Sequence, residues 1–492
     1  MKFSINETAD VNYLAIISKI TKLTPIPNAD NICLTILNGY QVIVKKSFQV
    51  GDVVVFFPQE SCICDRYLSV NNLYGLKDYE NNANCNEVEK LLELSLLAED
   101  PDHAAEYKQE AKSLVGFFEV NGRVQRLKLR GEYSCGFVMP VESLCKAYPE
   151  LEGTDWEAMV GTEFSTICGE DVVWKYVPVM KIPAEYIGDK KSRRHRKAQR
   201  KMTSFVRIRP DQFERHYESV HLEKAIREIK PDDYVVVTVK VHGTSGIFCN
   251  ILCNRKLTLW EKIKKLIGFK VNDVEYGNVY SSRNTIKNED INTKVNAGFY
   301  DKDTWYPVNE MLRPYLLEGM SVYGEIVGYV DNLLAPIQVN HDYGCKPGQW
   351  KFMPYRITMT SATGVKREWN TMDVLTWTNG FVAEHPEFED KIMPLEVVYE
   401  GKFRDICPDL DPESETYYDD FLERLKVKED WLMEKDEPLC KYHKVPREGV
   451  VIRVENDIFP RAWKLKTQRH ADLKSKGKSK GEFDMEDFES NR

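Results

Sequence analysis

At 492 residues, with 42% hydrophobic, 11% aromatic and 29% charged side chains, the chain exceeds what one core usually supports and suits two domains plus insertions. Its formal net charge of −9 means that any affinity for nucleic acid must come from local basic patches on an acidic whole. The opening MKFSINETADVNY holds no apolar stretch, and no run of about 18 apolar residues follows. A secreted or membrane-spanning protein is therefore not expected, nor a membrane partner. The expected location is intracellular and cytoplasmic, with a nuclear one left open by a basic segment described below.

The twelve cysteines are scattered singly from Cys33 to Cys440, and Cys62 and Cys64 flank only Ile63. Without paired CxxC motifs a structural zinc is not expected, and reduced, mostly buried thiols fit better.

The first 60 residues alternate strand-like runs with turns: YLAIISKITKL, TPIPNADN, ICLTILNGYQVIVKK, QVGDVVVFFP. Such period-2 runs predict a small β domain. A helical insertion is expected at about 72–115, rich in Leu, Ala, Glu and Lys. A second β block spans Gly122–Val141, where alternation puts Arg126, Lys128 and Arg130 on one strand face and Leu127 and Leu129 on the other. Short strands closing on themselves suit an OB-like barrel over residues 1–180, a frequent binder of single strands and ends. Lys45, Lys46, Arg126, Lys128 and Arg130 are its candidate nucleic-acid contacts.

Residues 181–220 read as a basic linker, with eight Lys or Arg plus His195 between Lys190 and Lys201. A flexible connector, a phosphate-contacting segment and a nuclear localisation signal all fit that composition. From 221 to 472 strands and helices alternate irregularly, an α+β pattern. Two stretches read as insertions, an amphipathic helix at about 255–275 and an acidic helical stretch at about 386–437. Residues 473–492 are low-complexity and expected to be disordered.

The chemistry concentrates in this second part. In VTVKVHGTSG, Lys240 ends a strongly β-forming run before a tight turn. A lysine so placed reaches a phosphorus atom if backbone amides and further cations hold a nucleotide beside it. Glu325 in SVYGEIVG and Glu448 in REGVVIR each border a further β run, and Lys464 and Lys466 in AWKLK share one strand face. Taken singly these are ordinary turn carboxylates and edge lysines. Together they supply oxygen ligands for a divalent metal and cations for a phosphate in transfer.

The ordered set KVHG (240–243), SSRN (281–284), VYGEIVG (322–328), WKFMPYRI (350–357), EGVVIR (448–453) and WKLK (463–466) resembles the motifs of the covalent nucleotidyltransferase superfamily of ligases and capping enzymes. The HGTS form is similar to RNA ligases. KITKLTPIPNADN, YQVIVKKSFQVGDVVVFFP and GRVQRLKLRGEYSCGFVMPV resemble the amino-terminal OB domain of the fifth family of RNA ligases, which places that module before its catalytic domain. The implied fold is α+β, an OB-like β-barrel followed by a nucleotidyltransferase domain, ATP-grasp-like, of antiparallel sheets and helices.

The resemblance also implies a reaction and roles. Lys240 takes AMP from ATP, AMP passes to an RNA 5′-phosphate, and a 3′-hydroxyl displaces it, with Mg2+ or Mn2+ as cofactor. Glu325 and Glu448 are expected to hold the metal through its waters, and Lys464 and Lys466 to contact the α-phosphate. Arg283 meets the ribose or terminal phosphate, Val241, His242 and Gly243 border the nucleotide, and Phe352 stacks on adenine, with Tyr355 as the second choice. His242 stands where this family commonly has an aspartate, and a neutral imidazole cannot balance a metal's charge as a carboxylate does. Arg356 likewise stands where an aspartate is common. The expected partner is an RNA nick in a duplex, handled by a monomer with no protein partner. An mRNA guanylyltransferase and a catalytically inactive RNA-binding protein are the alternatives.

Overall fold

The computed structural model describes residues 2–178, 206–216, 219–288, 303–455 and 460–481. It divides into two units, Met1–Val177 and Pro178–Arg492.

In the first unit, strand β1 (Ala15–Lys19) leads to the hairpin β2 (Ile32–Leu37) and β3 (Tyr40–Lys45), and then to β4 (Val53–Pro58). Asn38 and Gly39 form the two-residue hairpin loop at φ 50° and 78°, the left-handed pair that matches the twist of the flanking strands. Strands β5 (Leu127–Leu129), β6 (Glu132–Ser134), β7 (Gly136–Pro140) and β8 (Glu163–Phe164) follow, and the central sheet runs β7-β4-β1-β8. It is buried on both faces: Val55 and Phe57 pack with Ala15, Tyr67 and Leu144, whereas Val54 and Phe56 pack with Ile16, Val42 and Val44. That is why VVVFFP is a continuous apolar run rather than an alternating one. The insertion forms two helices, α1 (Cys85–Leu97) and α2 (Pro101–Ser113), packed on each other.

The basic strand face of Arg126, Lys128 and Arg130 is corrected. Arg126 precedes β5 and is buried, its Nη1 donating to Gln59 Oε1 at 2.9 Å and its guanidinium lying 4.3 Å from the Tyr133 ring. Arg130 sits in the turn after β5 at φ 53°, and Leu129, on the face opposite the basic residues, is itself 42% exposed. A three-residue strand is too short for alternation to fix a face. Lys45, Lys46, Lys128 and Arg130 are exposed.

The second unit is built on two antiparallel-rich sheets. One runs β9-β18-β17-β10-β16, from β9 (Val220–His221), β10 (Tyr234–Lys240), β16 (Val397–Lys402), β17 (Gly449–Val454) and β18 (Arg461–Lys466). The other runs β12-β11-β13-β14-β15, from β11 (Thr244–Asn254), β12 (Val274–Ser282), β13 (Met320–Gly328), β14 (Trp350–Thr360) and β15 (Lys366–Glu368). Helix α3 (Leu259–Leu266) caps the β11–β12 hairpin, and α4 (Thr371–Glu384), α5 (Tyr417–Lys426) and α6 (Gln468–Lys480) follow in order. In the first sheet Val235, Val237, Val450, Ile452, Val454, Trp463 and Leu465 turn one way into a core with Phe403, Phe421 and Trp431. Period 2 therefore turns Lys240, Val451, Arg453, Lys464 and Lys466 the other way.

Three boundaries differ from the sequence reading. Residues 206–216 of the expected linker pack on the second sheet: Ile208 and Phe213 share a core with Ile247 and Cys249, and Arg207 Nη2 donates to Asn278 O at 3.0 Å. The basic run Lys190–Lys201 lies outside the described residues. The stretch 386–437 is not a free-standing helical insertion, because β16 within it is the edge strand beside β10. In the tail, 473–480 continue helix α6, which is capped by Thr467 accepting from His470 N and buries Ser475. Its lysine-rich composition hid one buried stripe.

The 386–437 stretch also braces the site. Arg447 is fully buried; its Nε lies 3.1 Å from Glu437 Oε2, and its Nη1 contacts Glu396 Oε1 at 3.4 Å and Trp431 O at 3.3 Å. Arg447→Met is expected to cost about 3–5 kcal/mol, because it strands the buried Glu437 carboxylate, read as a lowered midpoint in denaturant unfolding. All twelve cysteines are free thiols, and no described helix is long and apolar enough to cross a membrane.

Candidate active site

Three strands set the cationic wall. Lys240 pairs with Gly449, and Gly449 with Lys466, so these positions share one row across β10, β17 and β18; Thr238, Val451 and Lys464 form the next. Gly449 is obligatory here: at φ 149° its Cβ would stand 2.0 Å from Leu465 O. The second sheet supplies the facing row of Ser245, Glu325 and Met353. Gly243, at the turn joining the two sheets, has no room for a side chain, since a Cβ would lie 2.2 Å from Ile326 O and 2.9 Å from Glu325 Cγ.

A cleft opens onto both rows, lined among others by Lys240, Arg283, Glu325, Tyr355, Lys464 and Lys466. Val241 also borders it, although its side chain is mostly buried. Glu325 is held in place by Gly243 N, donating to Oε1 at 3.2 Å, and by Ser245 Oγ, donating to Oε2 at 3.1 Å. Glu448 is 1% exposed and sits behind the lysines: Lys240 Nζ is 3.0 Å from its Oε2 and Lys466 Nζ 3.1 Å from its Oε1. One buried carboxylate thus holds two of the three cleft lysines.

Beneath Glu448 lies a nest of three buried imidazoles. His242 and His341 are 4.9 Å apart, His242 and His470 5.1 Å, and His341 and His470 5.7 Å, centre to centre. Lys474 Nζ lies 3.0 Å from His242 Nε2. An ammonium can only donate, so the His242 ring proton is assigned to Nδ1, 3.9 Å from Glu448 Oε2. His242, Glu448 and His470 could each turn one ligand atom to a common metal ion. The ammonium groups of Lys240, Lys466 and Lys474 around them oppose a dication in that nest. Glu325, an oxygen donor on the cleft wall, suits a divalent cation better.

Burial pushes His242 and His470 well below the usual imidazole range, with Lys474 adding to it in both, and burial also lowers His341. All three are neutral when folded but take protons when unfolded at pH below about 6.5. Stability is therefore complete above that pH and falls as pH drops toward the depressed folded values. The domain is expected to lose stability progressively between about pH 6.5 and 5.5. A thermal-unfolding series from pH 7.5 to 5.5 checks this, and His341→Leu should flatten it.

The adenine-stacking expectation for Phe352 is corrected. Phe352 pairs with Ile326 and is fully buried, edge-on to Phe248 at 5.2 Å. Met353, paired with Glu325, and Tyr355 two residues on lie on the opposite face of β14 and line the cleft instead. Tyr355→Ala is expected to raise the apparent KM for nucleotide roughly tenfold, a stacking loss of about 1–3 kcal/mol. Phe352→Ala should instead destabilise the fold by about 3–5 kcal/mol. Titrating nucleotide and denaturant on both variants separates the two.

Reasoning from sequence missed Ser245, Arg453, His341, His470 and Lys474. Arg453 had a signal, standing two residues after Val451 in EGVVIR; it bridges Glu368 Oε1 at 3.1 Å and Trp369 O at 2.6 Å on the cleft wall. Arg356 also lines the cleft, between Glu214 at 2.9 Å and Glu368 at 2.7 Å. The imidazoles had none, since they come from three separate segments.

A family model described as RNA ligase matches residues 233–470, spanning the cleft's lysines and carboxylates. The second unit is an RNA ligase domain. An OB-fold domain model matches residues 14–76, so the OB module precedes the ligase domain, as the resemblance to the fifth family implies. No curated protein sequence matches the chain. Among solved structures, a Naegleria gruberi RNA ligase mutant with ATP and Mn is 17% identical, with 94% of this chain and 99% of that chain covered at a TM-score of 0.51. Another mutant of that ligase, with AMP and Mn, is also 17% identical at a TM-score of 0.52, with 94% of this chain and 99% of that one covered. At this identity the likeness carries the fold, α+β with the OB module first.

Proposed function

We propose that the chain is an ATP-dependent RNA ligase that seals 3′-hydroxyl and 5′-phosphate ends through a lysyl-AMP intermediate, at nicks with RNA on the 3′-hydroxyl side. The observation that carries this reading is the register row Lys240, Gly449, Lys466, which sets a lysine amine beside a buried glutamate in a cation-lined cleft of an RNA ligase domain. The solved structures of the Naegleria ligase with ATP and with AMP, each with Mn, support ATP and a divalent cation as what the cleft takes.

Lys240 Nζ, having lost a proton, attacks the α-phosphorus of ATP. The P–N bond forms, the bond from the α-phosphorus to the bridging oxygen breaks, and pyrophosphate leaves. An oxygen of the RNA 5′-phosphate then displaces the lysine from phosphorus, and a 3′-hydroxyl displaces AMP to close the phosphodiester. Lys464 and Lys466 face the α-phosphate, and charge developing on its oxygens is stabilised by fixed cations that need no reorganisation. Glu448 orients the Lys240 amine. Arg283 holds the ribose or the terminal phosphate, and Tyr355 offers its ring to adenine. Glu325 would hold a divalent cation through water, and its charge would ease both amine deprotonation and phosphate attack. The metal role expected of Glu448 is corrected, since that carboxylate is buried with both oxygens on lysines. On the OB module, Lys45, Lys46, Lys128 and Arg130 offer phosphate contacts.

The test is sealing of nicked duplexes whose 3′-hydroxyl strand ends in RNA or in DNA, with ATP or GTP, and with magnesium, manganese or chelator. Sealing with ATP, metal and an RNA 3′ end is expected. Transfer of GMP to a diphosphate RNA end would replace this reading with capping.

A further inference from the structure

Helix α3, at the tip of the β11–β12 hairpin, is apolar on one side, which is exposed and packs on nothing among the described residues. Leu259, Trp260, Ile263 and Leu266 are 78%, 75%, 48% and 86% exposed, and Ile267 and Phe269 beyond it 64% each. At about 100° per residue, positions 259, 260, 263, 266 and 267 fall in one arc of about 120°. Lys262 and Lys264 lie just outside its two edges. The helix is nonetheless firmly built: Thr258 and Glu261 form a reciprocal capping box, and Gly268 follows at φ 90°. This side is therefore a formed surface.

The charges around it have one sign left over. Between 255 and 273 the two acidic residues are consumed locally, Glu261 by Arg255 at 2.6 Å and Asp273 by Lys265 at 2.5 Å. Lys256, Lys262, Lys264 and Lys270 are exposed and form no ion pair among the described residues. An apolar stripe with a tryptophan, edged by lysines that can reach past it to anionic groups, is the pattern of a helix lying in a bilayer interface. RNA would account for the lysines but leave the leucines and isoleucines in water. A coiled coil with a second copy would need several heptads, and α3 has eight residues.

We propose that α3 seats the chain on an anionic lipid surface, lying on the membrane without crossing it, against the expectation that the chain has no membrane partner. Nine residue-to-residue steps along β11 separate Ser245 in the cleft from Asn254 at the hairpin's far end, about 30 Å of strand. The cleft would stay open to RNA while α3 is engaged.

The test is flotation of the full chain with vesicles of phosphatidylcholine and phosphatidylserine, and with phosphatidylcholine alone. Binding is expected only to the anionic vesicles and should weaken with salt. It should fall at least about tenfold both in Ile263→Glu with Leu266→Glu and in Lys262→Gln with Lys264→Gln. These side chains support no core, so unchanged unfolding midpoints are expected and serve as the fold control. No binding by the natural chain, equal binding to neutral vesicles, or equal binding by the Glu variant would overturn the proposal. So would concentration-dependent self-association that the Glu variant abolishes, which would make the stripe a contact between copies.

Discussion

Glu448→Ala is expected to destabilise the ligase domain by about 3–5 kcal/mol and to remove AMP transfer to the chain. The carboxylate is 1% exposed and holds Lys240 at 3.0 Å and Lys466 at 3.1 Å. Removing it leaves two ammonium groups close together with no anion between them, and breaking one side of a buried ion pair typically costs that much. Glu448→Gln keeps the shape and an acceptor oxygen but not the charge. It should lose less stability than alanine while transfer still falls at least about 10²-fold, since oriented charge, rather than packing, is what the reaction uses. Denaturant unfolding beside label transfer from α-labelled ATP separates the two effects. If glutamine restored transfer along with stability, Glu448 would be a structural residue only.

Lys240→Arg is expected to show the opposite split. The guanidinium retains the cation that faces Glu448, so stability should stay within about 1 kcal/mol. Arginine stays protonated at any working pH and cannot form the P–N bond, so adenylylation should fall at least about 10⁴-fold. Sealing of an RNA whose 5′ end already carries AMP bypasses that step and should survive in part. Loss of both to the same extent would place Lys240 in substrate binding rather than at the phosphorus.

How legible the molecule was depended on how local each signal is. Lys464 and Lys466 could be set on one face because both lie in the six-residue strand β18, long enough for period 2 to hold, and the register Gly449 to Lys466 then sets them beside Lys240. Glu325 was readable for the same reason, one strand from Ser245. Phe352 was misread because the resemblance alone put it on adenine: its pairing with Ile326, one position off the Glu325–Met353 row, turns it into the core, and alternation along β14 sets Met353 and Tyr355 on the opposite face. The Arg126 misreading had another cause: an arginine whose head finds Gln59 and the Tyr133 ring can be buried where composition says exposed. The nest of His242, His341 and His470 was invisible, since their meeting is a property of the tertiary fold. Lys474 shows the same limit, a residue in a low-complexity stretch whose amine meets His242 at 3.0 Å.

The most direct test is to incubate the purified chain with magnesium and α-labelled ATP or GTP, denature it, and map the labelled residue. The account predicts label from ATP alone, on Lys240, stable to base and released by acid as expected for a P–N bond, and absent from Lys240→Ala. Label from GTP, label on another residue, or no label from either nucleotide would contradict it.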